Sequence, residues 1–291
     1  MRRVPQRVLI LLSFLILYGW ISKGLGASFV TSLFIGPDGT RLKNPVSILF
    51  KNNKIYVADA GNRRLVSFSL SGHPLVAFNP KGLLKLPIDF AFKGEKELWI
   101  IDGVLRGLYK VDFENRKVKS YIIKWRGKRV IPKVIQIVNN NIYILDAQTG
   151  TVMIFKPFKN GLKFLKRLIP PDKNFRGFID FRVRQNGFWG LSRLNRKVYR
   201  YYKGRWKSYS LKRISMAPVS IEVRYNTIFI LDRFFAKVLI LKLPSLKKVG
   251  EFGGKGWEPG QMLSPVKVRY LHYNYIGVGD EGNNRIEIFQ Y

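Results

Sequence analysis

The sequence predicts an all-β protein, a six-bladed β-propeller built from four-stranded antiparallel blades. Three observations predict it. A Pro and an Asp recur together along the chain at a near-constant spacing. The residues after each Pro alternate between apolar and polar. The last copy stops one strand short, while residues 28–35 form a strand that belongs to no copy.

The pairs are Pro45 and Asp59, Pro87 and Asp102, Pro132 and Asp146, Pro218 and Asp232, and Pro265 and Asp280, with Phe178 and Ser192 as a degenerate copy. Successive turn positions lie 43, 44, 46, 40 and 48 residues apart. Such a period is the signature of a repeat architecture.

Each copy resolves into strands. After the Pro come VSILF, IDFAF, KVIQI, IDFRV, VSIEV and VKVRY. Their first, third and fifth residues are apolar except for Lys133, which is period-two alternation. Before the Asp lie β-branched and aromatic triplets such as IYV, LWI and IFI, which favour strand. Six residues after the Asp position an apolar residue opens a third strand, and a more polar fourth follows, as in KVKSYII and WKSYSL. Four antiparallel strands repeated radially make a propeller, and each blade buries its faces against its neighbours. The final copy ends after its third strand, RIEIFQY, so residues 28–35 are expected to supply the missing outer strand. That closure leaves no free sheet edge.

FGGKGWEPGQMLSP followed by DEGNNRIEIF, and FIGPDGTRLKNP followed by VADAGNRRLVSF, resemble the NHL repeat family. The resemblance spans residues 28–291 as one domain; the middle four copies keep only the skeleton. It implies the propeller fold, with members that bind RNA or protein. In the turn, Asp59, Gly61, Asn62 and Arg64 are matched by Asp280, Gly282, Asn283 and Arg285. The Asp carboxylate is expected to accept turn N–H groups, and the Gly to take positive φ. The segment Gly277–Gly282 also fits G-x-G-x-x-G, but here a strand follows rather than the helix that phosphate binding requires.

Residues 1–27 read as a signal peptide or N-terminal membrane anchor. Arg2, Arg3 and Arg7 precede an apolar run, residues 8–21, and small residues follow at Gly24, Gly26 and Ala27. The run is short for a spanning helix, which favours a signal peptide; an uncleaved anchor would tether the chain through 8–21. Either way the remainder is expected to be exported: periplasmic, secreted or held at the outer face of the cytoplasmic membrane.

The chain contains no cysteine and only two histidines, His73 and His272. Thiolate metal sites, cysteine nucleophiles and most histidine triads are excluded. With 52 Lys and Arg against 18 Asp and Glu, the net charge is +34, which favours anionic partners.

Two candidate sites follow. On the innermost strands the polar positions face away from the apolar set, toward a central channel. Asp89, Asp180 and Glu222 there are candidate ligands for a divalent cation, the alternative being an ion-pair network with Lys267, Arg182 and Arg269. The second is a basic surface. From Phe181 to Ile221 there are eleven basic residues and no acidic one. Arg193, Arg196, Lys197, Arg200, Lys203, Arg205 and Lys207 interleave with Tyr199, Tyr201, Tyr202, Trp206 and Tyr209, a pattern that suits phosphates and anionic sugars. Packing of aromatics between blades explains the same alternation. The expectation is a non-catalytic binding propeller without a required cofactor, whose partner is a protein or an anionic envelope polymer; export disfavours nucleic acid. The alternative is a metal-dependent propeller hydrolase, lactonase or lyase working in the channel.

Overall fold

The computed structural model describes residues 26–158 and 161–291. The export segment read in residues 1–27 lies outside them, apart from Gly26 and Ala27. Six four-stranded antiparallel sheets are arranged as blades. Blade one comprises Pro45–Lys51, Lys54–Asp59, Arg64–Ser69 and Pro74–Phe78, from the channel outward. Residues 87–121, 132–168, 180–210 and 218–253 form blades two to five in the same order. Blade six takes Pro265–Tyr270, Tyr275–Asp280 and Arg285–Gln290, and its outer strand is Ser28–Leu33. That strand runs antiparallel to the last one, from Ser28 opposite Gln290 to Leu33 opposite Ile286. The closure expected from the orphan strand is therefore the one observed.

The alternation goes where six wedges need it. Six apolar clusters occupy the six interfaces between neighbouring blades. Phe229 of blade five, for example, packs with Val268 and Phe289 of blade six. Burying a side chain of this kind stabilises by about 1.5–3 kcal/mol, and no blade retains that contribution alone.

Each blade has two ends. At one end the Pro pairs with the Asp, as Pro45 with Asp59; at the other a tight hairpin joins Lys51 to Lys54. The ring therefore has a turn face and a hairpin face. The register slips just after the Pro in blades one, two, three, five and six. In blade four Phe178 stands at this position, and its ring lies where a Cβ on Gly190 would come within 2.3 Å. The two departures from the repeat are one packing solution. A small hairpin outside the repeat, Lys124–Trp125 with Lys128–Arg129, lies between blades two and three.

The repeated turn is built differently from the expectation. Gly61 and Gly282 do not adopt positive φ. The left-handed residue is the fourth after the Asp position in all six copies: Arg63, Arg106, Gly150, Arg196, Ala236 and Asn284. The glycines are required instead by close approach. A Cβ on Gly61 would lie 2.8 Å from the Lys43 carbonyl oxygen, and one on Gly282 would lie 3.0 Å from the Ser264 nitrogen. Nor does Asp59 collect the turn's own backbone donors. It accepts from Lys43 N at 2.6 Å, from Asn62 Nδ2 at 2.8 Å and from Arg64 Nε at 2.8 Å. Asp280 likewise takes Leu263 N, Ser264 N and Asn283 Nδ2. In blades two, three and five the expected pattern does hold, with Asp102 accepting from Val104 N and Leu105 N, Asp146 from Gln148 N and Thr149 N, and Asp232 from Phe234 N and Phe235 N. The Asn side chain thus replaces two backbone donors where Gly tightens the turn. Arg64 also pairs with Asp38 and donates to Thr40 Oγ1 at 2.7 Å. Arg285 turns instead to Glu287, with Nε and Oε1 2.5 Å apart.

Candidate functional site

The inner strands bring the channel carboxylates to three different partners. Asp89 of blade two accepts from Ser47 Oγ of blade one at 2.5 Å and from Ile135 N of blade three at 3.0 Å. Asp180 of blade four accepts from Ser220 Oγ at 2.6 Å and Ile221 N at 3.1 Å, both on blade five. Glu222 of blade five takes Arg182 Nε at 2.9 Å, pairs with Arg184, and accepts its neighbour Val223 N at 2.9 Å. Apart from the Val223 bond, these run from blade to blade around the ring. Three further contacts run across it. Lys267 of blade six lies 3.6 Å from Asp180 and 3.9 Å from Asp89, and Arg269 lies 3.2 Å from Asp180.

Among the described residues no three His, Cys, Asp or Glu side chains converge as a metal-ligating group. The carboxylates are separated and faced by cations, an arrangement that opposes divalent-cation binding. The donor set does not fit the metal considered from the sequence. On the hairpin side of Lys267 the channel widens into a cavity of about 340 Å³, lined by Gln136, Arg182, Arg184, Glu222 and Arg269 among others. Gln136 spans blades three and four, donating to Val183 O at 2.9 Å and accepting from Val183 N at 2.8 Å. On the turn side Lys133 keeps exposed surface. Desolvation at the channel mouth, then the Lys267 charge and, more weakly, Arg193, still hold it below the usual lysine range, with Asp180 opposing.

The basic stretch of blade four does not form one patch. Its third strand, Lys197–Tyr202, runs from the turn face to the hairpin face, and Arg205–Ser210 returns. Arg193 and Arg196 therefore lie on the turn face, while Lys203 and Arg205 flank the outer hairpin on the other. The aromatics other than Tyr202, which is exposed, are buried or half-buried. Tyr199 is buried and donates its hydroxyl to Asp172 at 2.6 Å. Trp206 packs against Tyr201, Phe178 and Phe188 in the interface with blade three. Several cations are already engaged: Lys197 pairs with Asp172 at 2.9 Å, and Arg200 donates to Asn186 O and lies 5.0 Å from the centre of the Trp189 ring. Lys207 sits on Tyr209, 5.1 Å from its ring centre. Arg193, Lys203, Arg205 and Lys207 remain exposed.

The missing element in the sequence reading was Lys166 and Arg184. They join Lys203, Tyr201 and Tyr202 around a groove of about 230 Å³ between blades three and four, at the hairpin face. Lys166 donates to the Tyr201 hydroxyl at 2.7 Å. Nothing in a single-strand pattern reveals this, because the residues come from different blades.

Charge is also segregated. Half of the 18 carboxylates are buried: Asp59, Asp89, Asp102, Asp146, Asp180, Glu222, Asp232, Asp280 and Glu287. Only Arg64, Arg182, Lys267 and Arg269 are buried among the described cations. On the hairpin face the exposed or half-buried carboxylates all belong to blade two. Of these, Glu95, Glu97 and Glu114 pair with Lys51, Lys93 and Lys96. Blades three to six present none there among the described residues; Glu222 is buried.

No family model and no curated protein matches the chain. The NHL resemblance therefore rests on the turn motifs alone. Solved structures do match the fold. One, described as a streptogramin B lyase, aligns over 91% of this chain and 98% of its own at 12% identity, with a TM-score of 0.59. A protein of unknown function from Bacteroides thetaiotaomicron aligns over 91% and 74% at 12% identity, TM-score 0.64. An auxiliary nutrient binding protein from Bacteroides ovatus aligns over 91% and 75% at 13% identity, TM-score 0.64. At these identities the similarity establishes the six-bladed propeller and nothing more specific.

Proposed function

We propose that this chain is an exported, non-catalytic propeller of the NHL type that binds an anionic envelope polymer through its hairpin face. One observation carries the reading: Asp and Glu side chains lie in the interior, at the turn face, on blade two and, as Glu251, on the outer strand of blade five, so the hairpin ends of blades three to six offer a cationic surface without exposed Asp or Glu. Exposed cations on a rigid scaffold attract a polyanion at long range, and screening weakens that attraction. The channel supports the same reading, because its charges are spent on holding blades together. The structural neighbours carry names of both kinds, a lyase and a nutrient-binding protein, and neither use transfers at such distance.

Pull-down from envelope extracts of the native host, at low and high salt, tests the proposal. Recovery of an anionic polymer at low salt and its release at high salt is the expected result. Recovery of a protein that survives high salt would replace the polymer by a protein partner. Stoichiometric Ca²⁺ or Zn²⁺ in the purified protein would favour the metal-dependent enzyme instead.

A further inference from the structure

The hairpin face holds a more specific feature between blades five and six. A cavity of about 410 Å³ is lined by Arg224, Lys242, Tyr225, Tyr273, Tyr291 and Asn274, with no Asp or Glu side chain among its lining residues. That size falls in the range of small-ligand sites.

Four inner strands carry a cation at the hairpin end: Lys51, Lys93, Arg184 and Arg224. Three have carboxylate partners, Glu95, Glu97 and Glu222. Arg224 has none among the described residues. Its guanidinium is held between two rings, 4.3 Å from the centre of Tyr225 and 4.4 Å from that of Tyr270, and donates from Nη2 to the Tyr225 hydroxyl at 2.9 Å. Nε is buried without a partner. Lys242 is close by, donating to Thr227 Oγ1 at 2.8 Å.

The hairpin tips add a second, independent observation. In blades one to three the left-handed positions of these hairpins are Asn52, Asn53, Gly94, Asn139 and Asn140. In blades five and six they are Tyr225, at φ 47°, and Tyr273, at φ 50°. A bulky side chain is disfavoured in that conformation, and such strain gathers at ligand sites. Both tyrosines are 76% exposed. The Tyr225 ring carries the Arg224 guanidinium, and the Tyr273 ring centre lies 4.0 Å from that of His272.

We infer that this cavity binds one unit of an anionic saccharide, a hexose ring bearing a carboxylate or a phosphate. Arg224 and Lys242 receive the anionic group as charge-assisted donors. Tyr225 and Tyr273 offer their rings to the apolar face of the sugar, and Asn226 and Asn274 are the amides within reach of its hydroxyls. The inference rests on the proposed anion-binding role only for the charge of the ligand; the site itself rests on Arg224 and the two hairpin tyrosines.

Titration of the full chain with tetragalacturonate, glucose 6-phosphate, maltotetraose and uridine monophosphate tests it. Saturable binding of tetragalacturonate or glucose 6-phosphate, with none of maltotetraose, is expected. R224Q should weaken it about tenfold, the loss of roughly one charge-assisted bond. Y225N installs the residue type of the blade one and blade three hairpins, so it should weaken binding while leaving the thermal midpoint unchanged or raised; this separates loss of the site from loss of the fold. The inference is overturned if neither anionic sugar binds, if both variants bind like the parent, or if the nucleotide binds more tightly than the sugars. Should it fail while salt-sensitive polymer recovery persists, the hairpin face binds polyanions without this pocket. Loss of both removes the two readings together.

Discussion

Lys267 of blade six places its ammonium 3.6 Å from the Asp180 carboxylate of blade four, across the axis of the ring. Blades four and six are not neighbours, and Arg269 repeats the span at 3.2 Å. The channel is thus tied shut by contacts that no adjacent pair of blades could make.

Removing that tie leaves charge stranded. In K267M, Asp89 loses the one cation it faces while remaining buried, and Asp180 keeps only Arg269. The expected destabilisation is about 3–5 kcal/mol. Urea unfolding measures it. The double variant D89N/K267M, which keeps Asp180 for Arg269, should recover much of the loss; if it is no better than K267M, the contacts matter by packing rather than charge.

The two kinds of turn position should respond oppositely. G61A introduces a Cβ 2.8 Å from a backbone oxygen and is expected to lower the thermal midpoint. R106G relieves a non-Gly residue at φ 49°, worth about 1–2 kcal/mol before the entropy of Gly, about 0.5–1 kcal/mol, is subtracted. It should be neutral or stabilising. Equal losses in both would contradict the assignment of the left-handed position.

These turns show how far sequence reasoning reached. The ring, its blade count and the closing strand were legible because Pro, Asp and alternation repeat at a fixed period, and the ion-pair alternative for Asp180 and Lys267 was visible in the inner-strand polar positions. The choice of Arg63 over Gly61 for the left-handed conformation was not, since Gly is the usual occupant and only coordinates reveal that Lys43 crowds its Cβ. The groove of Lys166, Arg184 and Lys203 and the Arg224 cavity were equally hidden. Each is assembled from residues tens of positions apart, and a missing carboxylate partner leaves no mark in a strand pattern.

Acid should weaken the blade-four edge in a defined way. The Tyr199 hydroxyl, then Lys197 and the Asn174 N–H, hold the Asp172 pKa at about 2, below its ordinary 3.8. A depressed carboxylate contributes stability that is present above the ordinary value and lost as pH falls toward the folded one. The stability difference between the parent and D172N should therefore be constant above about pH 5 and shrink between pH 3.8 and about 2. A difference independent of pH would exclude ionised Asp172 as the partner.

Glu287 has the opposite sign. It is fully buried beside the closing strand and accepts from Ser32 Oγ at 2.7 Å. Burial raises its pKa above the ordinary 4.5, against the Ser32 bond and the Arg285 charge. Its contribution is fully present below pH 4.5 and declines as pH rises through the folded value. E287Q should flatten that decline in thermal midpoint; a profile parallel to the parent would show that Glu287 does not titrate there.

The hairpin face itself is tested most directly by retention on an immobilised anionic polysaccharide in a salt gradient. K166Q/K203Q/R205Q removes three charges from the hairpin face, and R106Q/R193Q/R196Q removes three from the turn face. The first variant should elute at clearly lower salt than the parent, and the second close to it. Equal shifts would mean that net charge alone drives retention and that the hairpin face is not the binding surface.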